Sequence, residues 1–122
     1  MTIAEVIAWV DDISPNQYSD AQKLAWLSSF DGKVWEEVFL NHAGNEAEYP
    51  EGGHTQTSDM LLIGAPYAMD VYGNYLLAKI AEANAEVAKY NLYATLYNTE
   101  YAQFVSWYHR LHMPKSAGGW RY

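Results

Sequence analysis

The chain has 122 residues, half of them hydrophobic, with no cysteine and a formal net charge of −8. That length suits one domain with a core of its own. The missing cysteine excludes disulfide frameworks and thiolate chemistry, and the acidic balance argues against general nucleic-acid binding, whose phosphate contacts need Lys and Arg.

No apolar run approaches the roughly 18–20 residues that span a bilayer. The opening "MTIAEVIAWVDDI" carries Glu5, Asp11 and Asp12 and no basic stretch. It is therefore expected to be neither a signal nor a transit peptide, in a soluble protein made inside the cell. The acid is unevenly spread. Between Lys33 and Lys79 there is no Lys or Arg, while Glu36, Glu37, Glu46, Glu48, Glu51, Asp59 and Asp70 fall there. From Arg110 onward the balance reverses with Lys115 and Arg121. Solubility alone explains such a pattern; charge complementarity between partners or copies is the sharper reading.

"TIAE" reads as a capping box, Thr2 as N-cap and Glu5 as its reciprocal partner. Ile3, Val6, Ile7, Val10 and Ile13 follow at helical spacing, and Pro15 ends the helix. "SDAQ" offers a second cap at Ser19. From Leu24 through Trp26, Leu27, Phe30, Val34, Trp35, Val38, Phe39 and Leu40 runs a broad apolar face, read as one helix to about His42. Gly32 inside it either admits a close neighbour or marks a bend.

Residues 43–58, "AGNEAEYPEGGHTQTS", are rich in turn formers and lack an apolar period, so they are expected to be a flexible loop. "MLLIG" (Met60–Gly64) is too short for a helix. It reads as an extended segment packed on the core, or as a short strand with no obvious partner in this chain and hence a candidate to pair with another copy.

Pro66 suits the first turn of the next helix. From there Met69, Tyr72, Leu76, Ile80, Ala83, Val87, Tyr90, Tyr93, Tyr97, Tyr101, Phe104, Tyr108 and Leu111 step by three or four. One unbroken helix of that length would reach about 65–70 Å, too long for a small domain, so a break is expected near Asn84 or Asn91. Pro114 and "SAGG" end the regular structure, leaving 115–122 as a flexible tail. The expected fold is an all-α single-domain bundle of about four helices over 1–122, with a long loop at 43–65.

No reaction motif stands out. His109 and His112 share a helix face but have no Glu or Cys at zinc-site spacing, so they read as C-terminal polar residues of a helix. Adjacent Glu36 and Glu37 point apart and are no acid–base pair. Ser28 and Ser29 lie outside any nucleophile elbow, and "EGGH" lacks the lysine of a phosphate loop. No catalytic, cofactor or metal residues are expected. The aromatics of Tyr90–Leu111 are too poorly interleaved with Lys and Arg for a nucleic-acid stacking platform or a membrane-surface helix. They fit a packing stripe with surplus aromatic surface for a protein interface.

Two stretches carry a resemblance. "YSDAQKLAWLSSFDGKVWEEVFL" (Tyr18–Leu40) resembles the N-terminal half of small proteins encoded among the virion structural genes of tailed phages and prophages of Gram-positive bacteria. Leu61–Pro114 resembles their C-terminal half: an apolar extended segment, a Pro-Tyr helix start, a Tyr-Asn step, an aromatic stripe and a Trp-Tyr-x-x-x-His-x-Pro ending. The loop 43–58 is not covered. These proteins are similar in layout to head–tail connector (adaptor) proteins. The resemblance implies an all-helical virion protein, made in the bacterial cytoplasm, that docks under the portal, joins it to tail-side proteins and forms a ring with copies of itself. It implies no enzyme activity, no cofactor, no specific nucleic-acid binding and no membrane. The expected interface residues are Leu61, Leu62, Ile63, Tyr93, Trp107, Tyr108 and Trp120, with further contacts from the loop 43–58 and the tail. The alternatives are another phage-encoded interaction protein, a scaffold or regulator, and a small helical metal-binding enzyme.

Overall fold

A computed structural model describes residues 1–39, 49 and 52–111. Among the described residues the regular structure is all-helical, with four α-helices in the order α1 (Ile3–Ile13), α2 (Asp20–Val34), α3 (Asn74–Ala83) and α4 (Val87–Leu111). Two π-helical stretches join them: Trp35–Phe39 prolongs α2, and Met69–Gly73 leads into α3.

The caps follow from the sequence. Thr2 and Glu5 close a reciprocal capping box on α1, with the Glu5 N–H donating to Thr2 Oγ1 at 3.2 Å and the Thr2 N–H to Glu5 Oε1 at 2.9 Å. Those bonds hold the Glu5 carboxyl below its ordinary value. Ser19 accepts from the Gln22 N–H and opens α2. Helix α2 passes straight through Gly32, whose missing side chain admits Tyr49: an added Cβ would lie 3.2 Å from the Tyr49 hydroxyl. The close-neighbour reading of this glycine is the right one, and the wide turn comes later, at Trp35–Phe39.

The segment "MLLIG" finds a partner within the chain. Thr2 and Met60 form an antiparallel bridge, and the Leu61 N–H donates to Met1 O at 3.0 Å. The Ile3 and Ala4 N–H groups, unpaired within their own first turn, donate to Asp59 O and Thr57 O. The expectation that this segment lacks a partner in the chain is thereby corrected. The start of α1 is short and helical, so its pairing potential shows no strand pattern in sequence.

The long C-terminal stripe breaks at Asn84, one of the two expected positions. Ala85 takes a left-handed φ of 58°, and the Glu86 N–H donates to Ala81 O at 2.9 Å. The Asn84 side-chain oxygen accepts from Gln17 Nε2 and from the Tyr18 hydroxyl, both at 2.8 Å, which ties the turn to the α1–α2 connection. Helices α3 and α4 then fold back antiparallel: Tyr75 packs on Tyr97, and Tyr67 on Phe104 and Trp107. The turn shifts the phase of the stripe, so Ala83 and Val87 are exposed while Tyr72, Leu76, Ile80, Phe104 and Tyr108 are buried.

Most of the aromatics serve packing. Phe30 of α2 touches Tyr72, Tyr75, Tyr97 and Tyr101, and Phe104 of α4 touches Phe39, Tyr67, Tyr101, Trp107 and Tyr108. Such ring pairs add about 0.5–1.5 kcal/mol each beyond the area they bury. Helix α1 brings Ile3, Val6, Ile7 and Val10 to the same core, while Ile13, expected on that row, is 48% exposed at the helix end. Among the described residues no helix is long and apolar enough to cross a membrane.

Candidate functional site

Two places concentrate features that packing alone does not require: a polar cluster inside the core and the outer face of α4.

The cluster centres on Asp31, which faces inward from α2 and is fully buried. Its Oδ1 accepts from the Tyr72 hydroxyl. Its Oδ2 accepts from the Leu62 N–H at 3.0 Å and lies 2.7 Å from His54 Nε2. An ionised Asp31 can only accept, so in that state Nε2 carries the proton. The Tyr72 oxygen in turn accepts from the Ile63 N–H at 2.9 Å. His54 is held on its other side as well. Its backbone N–H donates to Ser28 Oγ at 2.9 Å, and its ring Nδ1 lies 3.7 Å from Asp59 Oδ2 without a hydrogen bond. Asp59 accepts from the Thr55 and Gln56 N–H groups, and those bonds hold its carboxyl below the ordinary value.

Burial pushes the Asp31 carboxyl up against the opposing pull of its Tyr72 and His54 bonds. Burial and the adjacent Asp31 charge push the Tyr72 hydroxyl well above its ordinary value. An acid, an imidazole and a phenol in contact have the makings of proton chemistry, but the Asp31 and His54 side chains are 0% and 2% exposed and offer a substrate no surface. What they do is anchor the irregular run 52–63, taking the Leu62 and Ile63 N–H groups that would otherwise be buried unpaired. Gly53 completes the approach: its φ is +85°, and a Cβ there would stand 2.5 Å from Ser28 Oγ. Sequence reading missed this cluster. Asp31, His54 and Tyr72 come from a helix, a turn-rich segment and a second helix, and nothing in their spacing joins them.

An ion pair between a buried lysine and a partly exposed aspartate clamps α1 to α2. Lys23, only 2% exposed, places Nζ 2.6 Å from Asp11 Oδ1, which also accepts from Asn16 Nδ2 at 2.9 Å. Among the described residues no group of three or more His, Cys, Asp or Glu side chains is placed to hold a metal ion. His112, one of the two histidines considered for such a site, lies outside the described residues.

The outer face of α4 is the opposite case, open and almost free of charge. Between Val87 and Tyr108 the helix carries only Lys89 and Glu100 as Lys, Arg, Asp or Glu, and Lys89 pairs with Glu86 at 3.0 Å. Along the row turned away from the bundle, from Ala88 through Leu92, Thr95, Leu96 and Thr99 to Ser106, every residue is exposed and uncharged. Leu92 is 55% and Leu96 43% exposed, with Val87 at 69% near the turn. Solvated helix faces normally carry charge, so this face is an exception on a strongly acidic chain. Sequence reading missed Leu92 and Leu96; the signal for them is two apolar residues one turn apart that fall off the aromatic stripe.

The expected interface residues divide. Leu61, Ile63 and Tyr108 are 5%, 0% and 4% exposed and offer a partner almost no area. Within this chain the Leu62 and Ile63 N–H groups bond to the polar cluster, and Tyr108 packs against Phe39 and Phe104. Leu62, Tyr93 and Trp107 are half-buried at the core's edge. Trp107 and Tyr108 are brought together, and Tyr93 stands apart, nearly four turns up α4 from them. Trp120, the tail 115–122 and half of the loop 43–58 lie outside the described residues. No family model, no curated protein and no solved structure matches the chain.

Proposed function

We propose that this protein is a structural adaptor that works through protein–protein contacts and carries out no reaction. The observation that carries this reading is the outer face of α4, a long, uncharged, leucine-bearing surface on a chain of net charge −8. Apolar area that a chain leaves open along a rigid helix is suited to a partner's surface. The burial of Asp31, His54 and Tyr72 supports the reading from the other side, because the most reactive cluster in the described residues is withheld from solvent.

The resemblance of Tyr18–Leu40 and Leu61–Pro114 to small virion proteins supplies the setting: a head–tail connector of a tailed phage, joining portal to tail-side proteins. An acidic chain suits a wall past which DNA moves, since like charge keeps phosphates from sticking. The test is deletion of the coding gene in the phage or prophage that this reading requires, followed by electron microscopy of the induced lysate. Heads beside free, complete tails are expected; joined, normal virions would overturn the adaptor role.

A further inference from the structure

We infer that α4 is a self-pairing helix: it packs antiparallel against the α4 of a second copy, about a two-fold axis that crosses the helix near residues 94 and 95. The inference deepens the adaptor reading by naming a partner for the outer face of α4, and it rests on that face being an interface.

The argument for a second copy is charge and symmetry. Two chains of net charge −8 repel each other over most of their surfaces. The outer row of α4 from Ala88 to Ser106 opposes no charge to its own image. A basic partner would be drawn to the acidic remainder of the chain rather than to this face.

The two charged residues of α4 then select the register. Lys89 and Glu100 are eleven positions apart, three helical turns, so they share a flank of the helix, bordering the row that holds Leu92 and Leu96. Their midpoint falls between residues 94 and 95, and the midpoint of Leu92 and Leu96 is residue 94. A two-fold axis there sets Lys89 of each copy opposite Glu100 of the other, twice, and brings the four leucines together between them. The small side chains of Ala88, Thr95 and Thr99 on the same row let the helices come close. The Thr95 hydroxyl is already satisfied by Asn91 O at 2.8 Å, so covering it strands no donor. Lys89 would give up its present pairing with Glu86, a contact between groups 58% and 40% exposed, which costs little at a surface.

The experiment is sedimentation equilibrium of the full chain over a range of concentrations. A concentration-dependent dimer is expected. Leu92→Glu with Leu96→Glu should weaken it by more than about tenfold in Kd, with helix content by circular dichroism unchanged because both side chains are exposed. Lys89→Glu alone and Glu100→Lys alone should each weaken the dimer by setting like charges opposite one another, and the two together should restore it. A chain that stays monomeric, or a dimer indifferent to the leucine substitutions, would overturn the pairing. Failure of the double charge reversal to restore the dimer would overturn the antiparallel register. These outcomes are separate from the virion test: a monomer leaves the lysate result standing, and joined virions leave the dimer measurement standing.

Discussion

Asp31 and His54 stand 2.7 Å apart in the core, from a helix and from an irregular segment 23 residues further along, and neither reaches solvent. Through this contact, and the bonds from Leu62 N–H and the Tyr72 hydroxyl, one carboxylate organises three pieces of chain. Asp31→Ala leaves an imidazole, a hydroxyl and a backbone N–H buried without their acceptor. The expected loss in urea unfolding is more than about 3 kcal/mol, at about 1–3 kcal/mol for each of the three buried groups left without an acceptor. Tyr72→Phe removes one donor to Asp31 and the acceptor of the Ile63 N–H, with an expected loss of about 1–3 kcal/mol. If Asp31→Ala unfolds at the same urea concentration as the parent, the anchoring role is refuted.

The tyrosines make the fold sensitive to alkali. Burial pushes the hydroxyls of Tyr72, Tyr97 and Tyr101 up and that of Tyr75 up to about 12; for Tyr101 the bond it donates to Glu37 at 3.0 Å adds to the rise. A phenol that ionises less readily when folded contributes stability that is whole below the unfolded value, about pH 10, and is lost as pH rises through the folded value. The urea midpoint should therefore hold up to about pH 10 and fall beyond it. Phenolate absorbance should show the signals of Tyr72, Tyr75, Tyr97 and Tyr101 delayed to the pH at which the chain unfolds. Tyr75→Phe should make the alkaline decline shallower. A midpoint that stays flat well past that pH would count against these burials.

Gly73 is fixed by its neighbour. A Cβ at this position would collide with Cζ3 of the Trp9 ring, where α1 crosses the π-helical entry to α3. Gly73→Ala should cost about 1–3 kcal/mol through forced movement of the ring, even though alanine is the better helix former. Thermal unfolding monitored by tryptophan fluorescence would read both the stability and the disturbed ring. An unchanged Tm would mean that the two helices are further apart than described.

Ala85 is the reverse case. It holds a left-handed φ of 58° at the α3–α4 turn without the glycine that such a position favours. Ala85→Gly should relieve that strain and, after the added freedom of the unfolded chain is set against it, stabilise by about 0.5 kcal/mol. A lowered Tm would show that the turn is not strained.

What was legible in the sequence was local. Thr2 with Glu5, Ser19, the end at Ser14 and the break at Asn84 are signalled by residues within one helical turn of the feature they create. The all-α class follows from the period of the long stripe. Contacts between distant segments were not legible. Met60 reads as unpartnered because its bridge to Thr2 is a single residue pair, too short to leave an alternating pattern in either segment. Ala83 and Val87 read as core because the stripe runs through the turn without a visible change of phase. Nothing in the sequence marks Asp31, and only the fold brings His54 to it. The outer face of α4 was visible in part: its lack of charge was read as poor nucleic-acid binding, while Leu92 and Leu96 went unnoticed beside the tyrosines.

The bridge between Thr2 and Met60 orders events during synthesis. Residues 1–4 leave the ribosome well before residues 57–61, and the helix they begin has Ile3, Val6, Ile7 and Val10 waiting to be covered. Until the second half of the chain follows, that row stays wet and adhesive. The α3–α4 hairpin, whose contacts are near in sequence, can form as soon as it emerges, whereas seating α1 closes a loop of more than half a hundred residues. Seating α1 at this bridge thus waits on residues 57–61, and until they arrive its apolar row lacks their cover.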